Sequence, residues 1–180
     1  MADRDGTAST VVVRRAGPGD ARAFAVIGVR GWQAAYRGIM PDAFLDALSV
    51  EARERAWLER LTAATDEAPA WLASRDGRPV GFLCGGPSRD DDPVPSSVEV
   101  YALYVLPEAW RGGVGRALLG AALAFWRGLE IPTATLWVLE ANAAARGFYE
   151  AQGWKTDGAR QEADLGGFAP AEVRYRISLV

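Results

Sequence analysis

A chain of 180 residues that is 49% hydrophobic is long enough to bury one substantial core, and no shift in composition divides it in two. Its 20 Lys and Arg against 23 Asp and Glu, net −3 with a pI near 5.1, remove the basic footprint of a general nucleic-acid binder. With no histidine and a single cysteine, disulfide frameworks, zinc sites built on Cys and His, and histidine triads are excluded, which leaves carboxylates, tyrosines, main-chain amides and water to do any chemistry, without a metal.

Residues 1–10 are polar and have no apolar core, so neither a signal peptide nor a membrane span is expected. The expectation is a disordered tail over 1–9, one domain over 10–180 and a cytoplasmic protein. Thr10 to Arg15 reads as a strand, and Gly17-Pro18-Gly19-Asp20 turns the chain into a helix with Phe24, Ile27, Gly28, Gly31 and Ala35 at helical spacing and Trp32 and Tyr36 along its edge. Gly38 and Pro41 break it. A second helical region runs from Pro41 to Leu48 and on through Val50 to Leu61, so that two helices cap a sheet.

Ala70 to Ser74 and Pro79 to Gly85 read as a hairpin turned by Arg75-Asp76-Gly77-Arg78, with Cys84 as a small core residue. The loop from Pro87 to Pro95 holds Asp90, Asp91 and Asp92. It reads as a solvated loop, with attraction of a cationic substrate as the other reading. Val98 to Val105 is the next strand, followed by a helix on Val114, Leu118, Ala122, Phe125 and Trp126 that ends near Gly128. Thr133 to Leu139 is a strand, Asn142 to Gln152 a short helix closed by Gly153, and Ala171 to Leu179 the last strand of a C-terminal pair. The order β α α β β β α β α β β describes a single mixed α/β domain without internal repeats.

Between the Val98 strand and its helix, Gly112, Gly113 and Gly115 allow close approach of the main chain to a ligand, and the first helical turn leaves unpaired N–H groups. This predicts a cradle for a phosphorylated cofactor. No Lys-Ser/Thr follows, as a P-loop needs, and Leu118 stands where a dinucleotide fingerprint has its third glycine.

Two segments together resemble the Gcn5-related N-acetyltransferases. The first, Trp110-Arg111-Gly112-Gly113-Val114-Gly115, follows that family's Gln/Arg-x-x-Gly-x-Gly/Ala motif with Trp in place of Gln or Arg, which puts one polar contact in doubt. The second, about thirty residues on, carries Asn142, Ala145, Phe148, Tyr149, Gly153 and Trp154 in the pattern Asn-x-x-Ala-x-x-Phe-Tyr followed by Gly and an aromatic. The run from Trp32 to Pro41 also looks like a segment of many bacterial members.

The resemblance implies an acyl-CoA N-acyltransferase fold with a mixed, mostly antiparallel sheet, and an acetyl-CoA-dependent N-acetyltransferase. The strands of Val105 and Trp137 diverge, and the pantetheine arm lies between them on the exposed main chain of Leu103 and Val105, whose side chains pack in the core. The diphosphate rests on N–H groups from Arg111 to Arg116, through Gly112, Gly113, Val114 and Gly115, with Arg116 as a charge partner. Val105 N–H is the implied donor to the thioester carbonyl.

Glu99, eleven residues before Trp110, stands where some members carry a general-base glutamate. Strand alternation puts it with Tyr101, Leu103 and Val105, apolar surroundings that raise a carboxyl toward useful basicity; a plain polar residue at a strand start is the other reading, and a water chain an alternative base. Tyr149 matches the usual proton donor to the leaving thiolate, or packs as a core tyrosine. Asn142 serves as N-cap or as a pantetheine contact.

The acceptor pocket is expected between the N-terminal helices, the Asp90 loop and the C-terminal strands, with Trp32, Tyr36 and Tyr101 either lining it or packing in the core. The implied reaction is direct attack by a primary amine of a small molecule in a ternary complex. A protein N-terminal or lysine acetyltransferase and a non-catalytic acetyl-CoA sensor are the alternatives, and a homodimer through the C-terminal strands is common among relatives.

Overall fold

The computed structural model describes residues 10–91, 94–165 and 167–180, so the expected tail and Asp92 lie outside the described residues. Seven strands, β1 (Val11–Arg15), β2 (Ala70–Arg75), β3 (Arg78–Pro87), β4 (Ser97–Val105), β5 (Thr133–Leu139), β6 (Lys155–Glu162) and β7 (Ala171–Ser178), form one sheet in the order β1-β2-β3-β4-β5-β7-β6. Among these described strands only β4 and β5 pair in parallel. Among the described residues five α-helices accompany them: α1 (Ala21–Ala35), α2 (Asp42–Asp46), α3 (Val50–Thr62), α4 (Val114–Gly128) and α5 (Ala143–Ala151).

The second helical region is two helices, because the Ser49 hydroxyl accepts from Ala52 N–H at 3.1 Å and restarts the chain as α3. The strand left without bounds by its sequence is β6, KTDGARQE. It is an edge strand, exposed at most positions, so it carries no apolar alternation to read.

One face of the sheet is covered by α4 and α5, whose Leu118, Leu119, Trp126 and Tyr149 pack with Leu83, Val100, Leu136 and Tyr175. The other is capped by α1 and α3. There Phe24 stacks on Phe82 at 4.2 Å, with Trp57 edge-on to both at 5.0 and 5.1 Å. Each such side chain contributes about 1.5–3 kcal/mol by leaving water. Cys84 belongs to this cluster, and burial pushes its thiol up to about 12, as suits an inert core residue. No helix among the described residues is long and apolar enough to cross a membrane.

Two irregularities position the site. Opposite β3, the register passes from Cys84↔Ala102 to Gly85↔Val100, so Tyr101 is one extra residue in β4. Such a bulge inverts the alternation beyond it. Val98 and Val100 before it and Leu103 and Val105 after it all face α4, while Tyr101, Ala102 and Tyr104 face α1. Glu99, between Val98 and Val100, also points to the α1 side. The expectation that Glu99 shares a face with Leu103 and Val105 is thereby overturned, for simple alternation cannot count the bulged residue.

Gly85 is the residue this kink requires. A β-carbon there would stand 2.5 Å from the Glu99 carbonyl oxygen and 2.8 Å from the Trp126 ring. Gly85→Ala is expected to destabilise by about 1–3 kcal/mol, read as a fall in Tm of about 2–4 °C per kcal/mol in thermal unfolding.

The second irregularity is a fork. β4 and β5 pair only from Ser97↔Thr133 to Val100↔Leu136, although both strands run on to Val105 and Leu139. Leu106 N–H donates to the Val80 carbonyl at 2.8 Å, so alternation turns the main-chain groups of Val105 and Leu103 the other way, into the fork.

Candidate active site

At the end of β4 the chain enters α4 through Gly113, its N-cap, at φ +79°, a left-handed conformation in which a side chain is strained. No side chain caps the helix. Its first main-chain bond is Ala117 N–H to the Gly113 carbonyl at 2.9 Å, so the N–H groups of Val114, Gly115 and Arg116 precede the ladder and point out of the helix end. The cradle is narrower than the sequence implies: Gly112 N–H already donates to the Ala109 carbonyl at 3.3 Å.

Gly112 and Gly115 also have reasons inside the protein. A β-carbon on Gly112 would stand 2.1 Å from the Arg75 guanidinium, which donates to the Gly112 carbonyl at 2.7 Å, and one on Gly115 would press on the Phe148 ring at 3.1 Å. Trp110 does not simply lose a polar contact. Its indole N–H donates to the Val105 carbonyl at 2.8 Å and ties the loop to the strand end. Arg111 and Arg116 are exposed at the helix start, and among the described residues neither forms an ion pair.

From the α5 side, Asn142 accepts from Ala145 N–H through Oδ1 at 3.0 Å, which commits that oxygen to the cap. Tyr149, about two turns on, is buried with its ring among Phe148, Trp154 and Tyr175. Burial first, and nearby Tyr36 second, push its phenol well above the usual range. Tyr104 of β4, which no motif singles out, is likewise pushed up by burial, with Tyr36 and Tyr149 adding to the shift. Phenols from the residue that ends α1, from β4 and from α5 thus lie near enough to raise one another.

On the α1 face of the sheet a cavity of about 330 Å³ lies where β4 and β5 part, its walls including Val100, Tyr101, Trp137, Arg89, Glu99 and Glu172. Glu99 is 1% exposed. Its two oxygens accept from Arg89, one from the main-chain N–H at 2.9 Å and one from the guanidinium at 2.5 Å. Arg89 in turn lies over the Tyr101 ring at 4.1 Å.

Asp90 is no solvated loop residue. It turns inward to bind Arg174 at 2.7 Å and the Trp137 indole N–H at 2.7 Å, while Arg174 also binds Asp157 at 2.9 Å; only Asp91 of the described acidic run stays exposed. Of the three aromatic candidates, Tyr101 lines the cavity. Trp32 and Tyr36 instead pack edge to face at 5.1 Å, with Arg53 over the Trp32 ring. Glu172 and Gln161 were not legible, because β6 and the start of β7 carry no motif.

Residues 32–154 match the family model described as the acetyltransferase (GNAT) family, which spans more than half of the chain. The chain belongs to the GNAT acetyltransferases. The uncharacterized N-acetyltransferase YuaI of Bacillus subtilis is 32% identical over 145 residues, 78% of either chain. The peptidyl-lysine N-acetyltransferase YjaB of Escherichia coli is 35% identical over 127 residues, 69% of this chain and 75% of its own. In fold, the PaiA N-acetyltransferase of Thermoplasma acidophilum, solved in complex with coenzyme A, superposes with a TM-score of 0.74 at 18% identity over 94% of this chain and 99% of that one.

For a GNAT acetyltransferase the two sides of the fork have distinct chemistry. The α4 side offers unpaired N–H groups and two exposed guanidinium groups, a setting made for phosphate oxygens. The α1 side offers a small cavity with carboxylates on opposite walls, Glu99 on β4 and Glu172 on β7. Among the described residues no cluster of Asp, Glu and Cys could hold a metal ion.

Proposed function

We propose that this acetyltransferase moves an acetyl group from acetyl-CoA to a primary amine of a small molecule by direct attack in a ternary complex. The observation that carries this reading is the placement of the cavity at the fork: donor and acceptor reach one another from opposite faces of the sheet through the opening beyond Val100 and Leu136.

The diphosphate of acetyl-CoA fits the N–H groups of Gly113, Val114, Gly115 and Arg116, with Arg111 and Arg116 as its cations, and the pantetheine arm fits the main chain of Leu103 and Val105. Asn142 borders the arm through its amide nitrogen, its oxygen being held by the cap. When bound, acetyl-CoA supplies an acyl carbon activated as a thioester. Val105 N–H is aimed into the fork and polarises the carbonyl there. An alkyl ammonium has a pKa of about 10.4, so the acceptor must lose a proton to attack, and carboxylates and water in the cavity receive it. Glu99, its charge balanced by Arg89, holds and orients the amine from the β4 wall. Tyr149 protonates the departing sulfur.

The similarity to the peptidyl-lysine acetyltransferase YjaB supports a second reading, in which the amine is a lysine side chain. Thiol release measured over a panel of small amines and lysine peptides separates the two: small amines turned over with the higher kcat/KM support the first, peptides the second. No release with any amine, under conditions where calorimetry registers acetyl-CoA binding, would leave a cofactor-binding sensor. The exposed edge strand β6 is the surface proposed for a homodimer, which gel filtration tests.

A further inference from the structure

The two carboxylates that face each other across the cavity are in different electrostatic situations. Glu99 is buried, and both of its oxygens are taken by Arg89. With one oxygen held by the Arg89 main-chain N–H and the other by its guanidinium, Glu99 is tied to the loop and its charge is already balanced by a cation. Glu172 stands on the opposite wall, on β7, in register with Leu139 of β5 on one side and Gln161 of β6 on the other. Its carboxylate accepts a hydrogen bond at 2.8 Å from the neutral Gln161 amide, and among the described residues it forms no ion pair.

We propose that Glu172 is the catalytic base of this acetyltransferase, taking the proton of the acceptor ammonium in the cavity, while Glu99 acts as a fixed anion that holds Arg89 and the acceptor in place. The inference rests on the amine-acetylating reaction proposed above.

Protons and electrons balance as follows. One ammonium proton passes to a Glu172 oxygen, and the nitrogen lone pair so released forms the C–N bond. The C–S bond breaks with its electron pair on sulfur, which takes the Tyr149 hydroxyl proton. The second proton lost from nitrogen restores the tyrosine through cavity water, and the Glu172 proton leaves to solvent.

The charged and titratable groups around Glu172 support this assignment. Burial raises its carboxyl above the ordinary glutamate value, which improves a base; Glu99 adds to that rise, whereas the Gln161 amide and the Arg89 charge oppose it. Asp90 shares the cavity wall but is held by Arg174, two residues along β7 from Glu172. Tyr101, beneath the Arg89 guanidinium, donates to the Pro87 carbonyl, and Tyr36 is close enough to register the Glu172 charge. Of these groups Glu172 is the carboxylate without an ion pair among the described residues, and its hydrogen bond to Gln161 occupies one oxygen, which leaves the other open to an acceptor ammonium.

The test is the pH dependence of kcat/KM for one turned-over amine, with acetyl-CoA binding followed by calorimetry as a separate readout. Wild type is expected to show activity rising with pH through an ionisation above the ordinary glutamate range. In Glu172→Gln that rise disappears and kcat/KM falls about 100-fold or more at neutral pH, the span typical of a lost general base. Glu172→Asp retains a displaced rise, Glu99→Gln loses activity but keeps the rise, and acetyl-CoA affinity is unchanged throughout. A Glu172→Gln enzyme within about 3-fold of wild type with the rise intact would overturn the assignment. So would loss of the rise in Glu99→Gln alone. Wild type that acetylates no amine refutes the proposed reaction, and this assignment falls with it.

Discussion

Replacing Arg174 by methionine is expected to lower the unfolding free energy by about 3–5 kcal/mol, because it leaves two buried aspartates without their cation. The Arg174 side chain is 12% exposed, and those of Asp90 and Asp157 are 8% and 7% exposed, so water cannot replace the lost charge. Asp90 would keep only the Trp137 indole N–H, and Asp157 the Ala159 N–H at 3.1 Å. For a domain of this size the loss corresponds to a fall in Tm of about 6–20 °C, measurable by calorimetry and by urea titration.

The consequence for function follows from the chain. Asp90 adjoins Arg89, so releasing the loop from β7 also frees the guanidinium that balances Glu99, and KM for the amine rises together with the fall in stability. Asp90→Asn combined with Arg174→Met is expected to regain part of the lost stability, since one of the uncompensated charges has gone, without regaining the amine KM. If Arg174→Met unfolds within about 0.5 kcal/mol of wild type, the three side chains form no working unit.

The helix-start side of the fork was largely legible in the sequence and the cavity side was not, for a physical reason. Phosphate binding by a helix start uses local main chain, so Gly113, the apolar spacing of Val114, Leu118 and Ala122, and the strand before them stand together within one short segment. The cavity on the α1 face is assembled from the loop after β3, the bulge in β4, Trp137 of β5 and the polar strands β6 and β7, whose residues are remote in sequence and meet only through the strand order. Tyr101 shows the limit most plainly. Nothing in VEVYALYV marks it as an extra residue, since the bulge is set by Gly85 on the neighbouring strand and by the Trp126 ring beneath it. Asp90 shows it again, because an Asp-rich loop reads as solvated until Arg174, 84 residues away, is found beside it.

Tyr149→Phe is expected to cut kcat about 100-fold while leaving acetyl-CoA affinity and the fold intact, a combination that distinguishes a proton donor from a packing tyrosine. The ring belongs to the core beneath α5, and phenylalanine fills the same space. No hydrogen bond joins the hydroxyl to the described residues, and it is not among the fully buried polar atoms left without a partner, so its removal is expected to change stability by less than about 0.5 kcal/mol. Loss of turnover with unchanged Tm is the mark of a polar group retained for chemistry rather than for the fold.

Burial holds the phenol protonated well above its ordinary range, so wild-type activity should not decline through the pH span in which a solvent-exposed tyrosine ionises. A donor with so weak an acidity acts only as sulfur becomes a thiolate, whose conjugate acid has a pKa of about 8.5 in simple thiols, which makes the hydrogen bond to the developing charge, rather than full early transfer, its main contribution. A donor thioester with a better leaving group should therefore lose less on Tyr149→Phe than acetyl-CoA does. If the variant turns over acetyl-CoA at the wild-type kcat, cavity water supplies the proton and Tyr149 is a core residue.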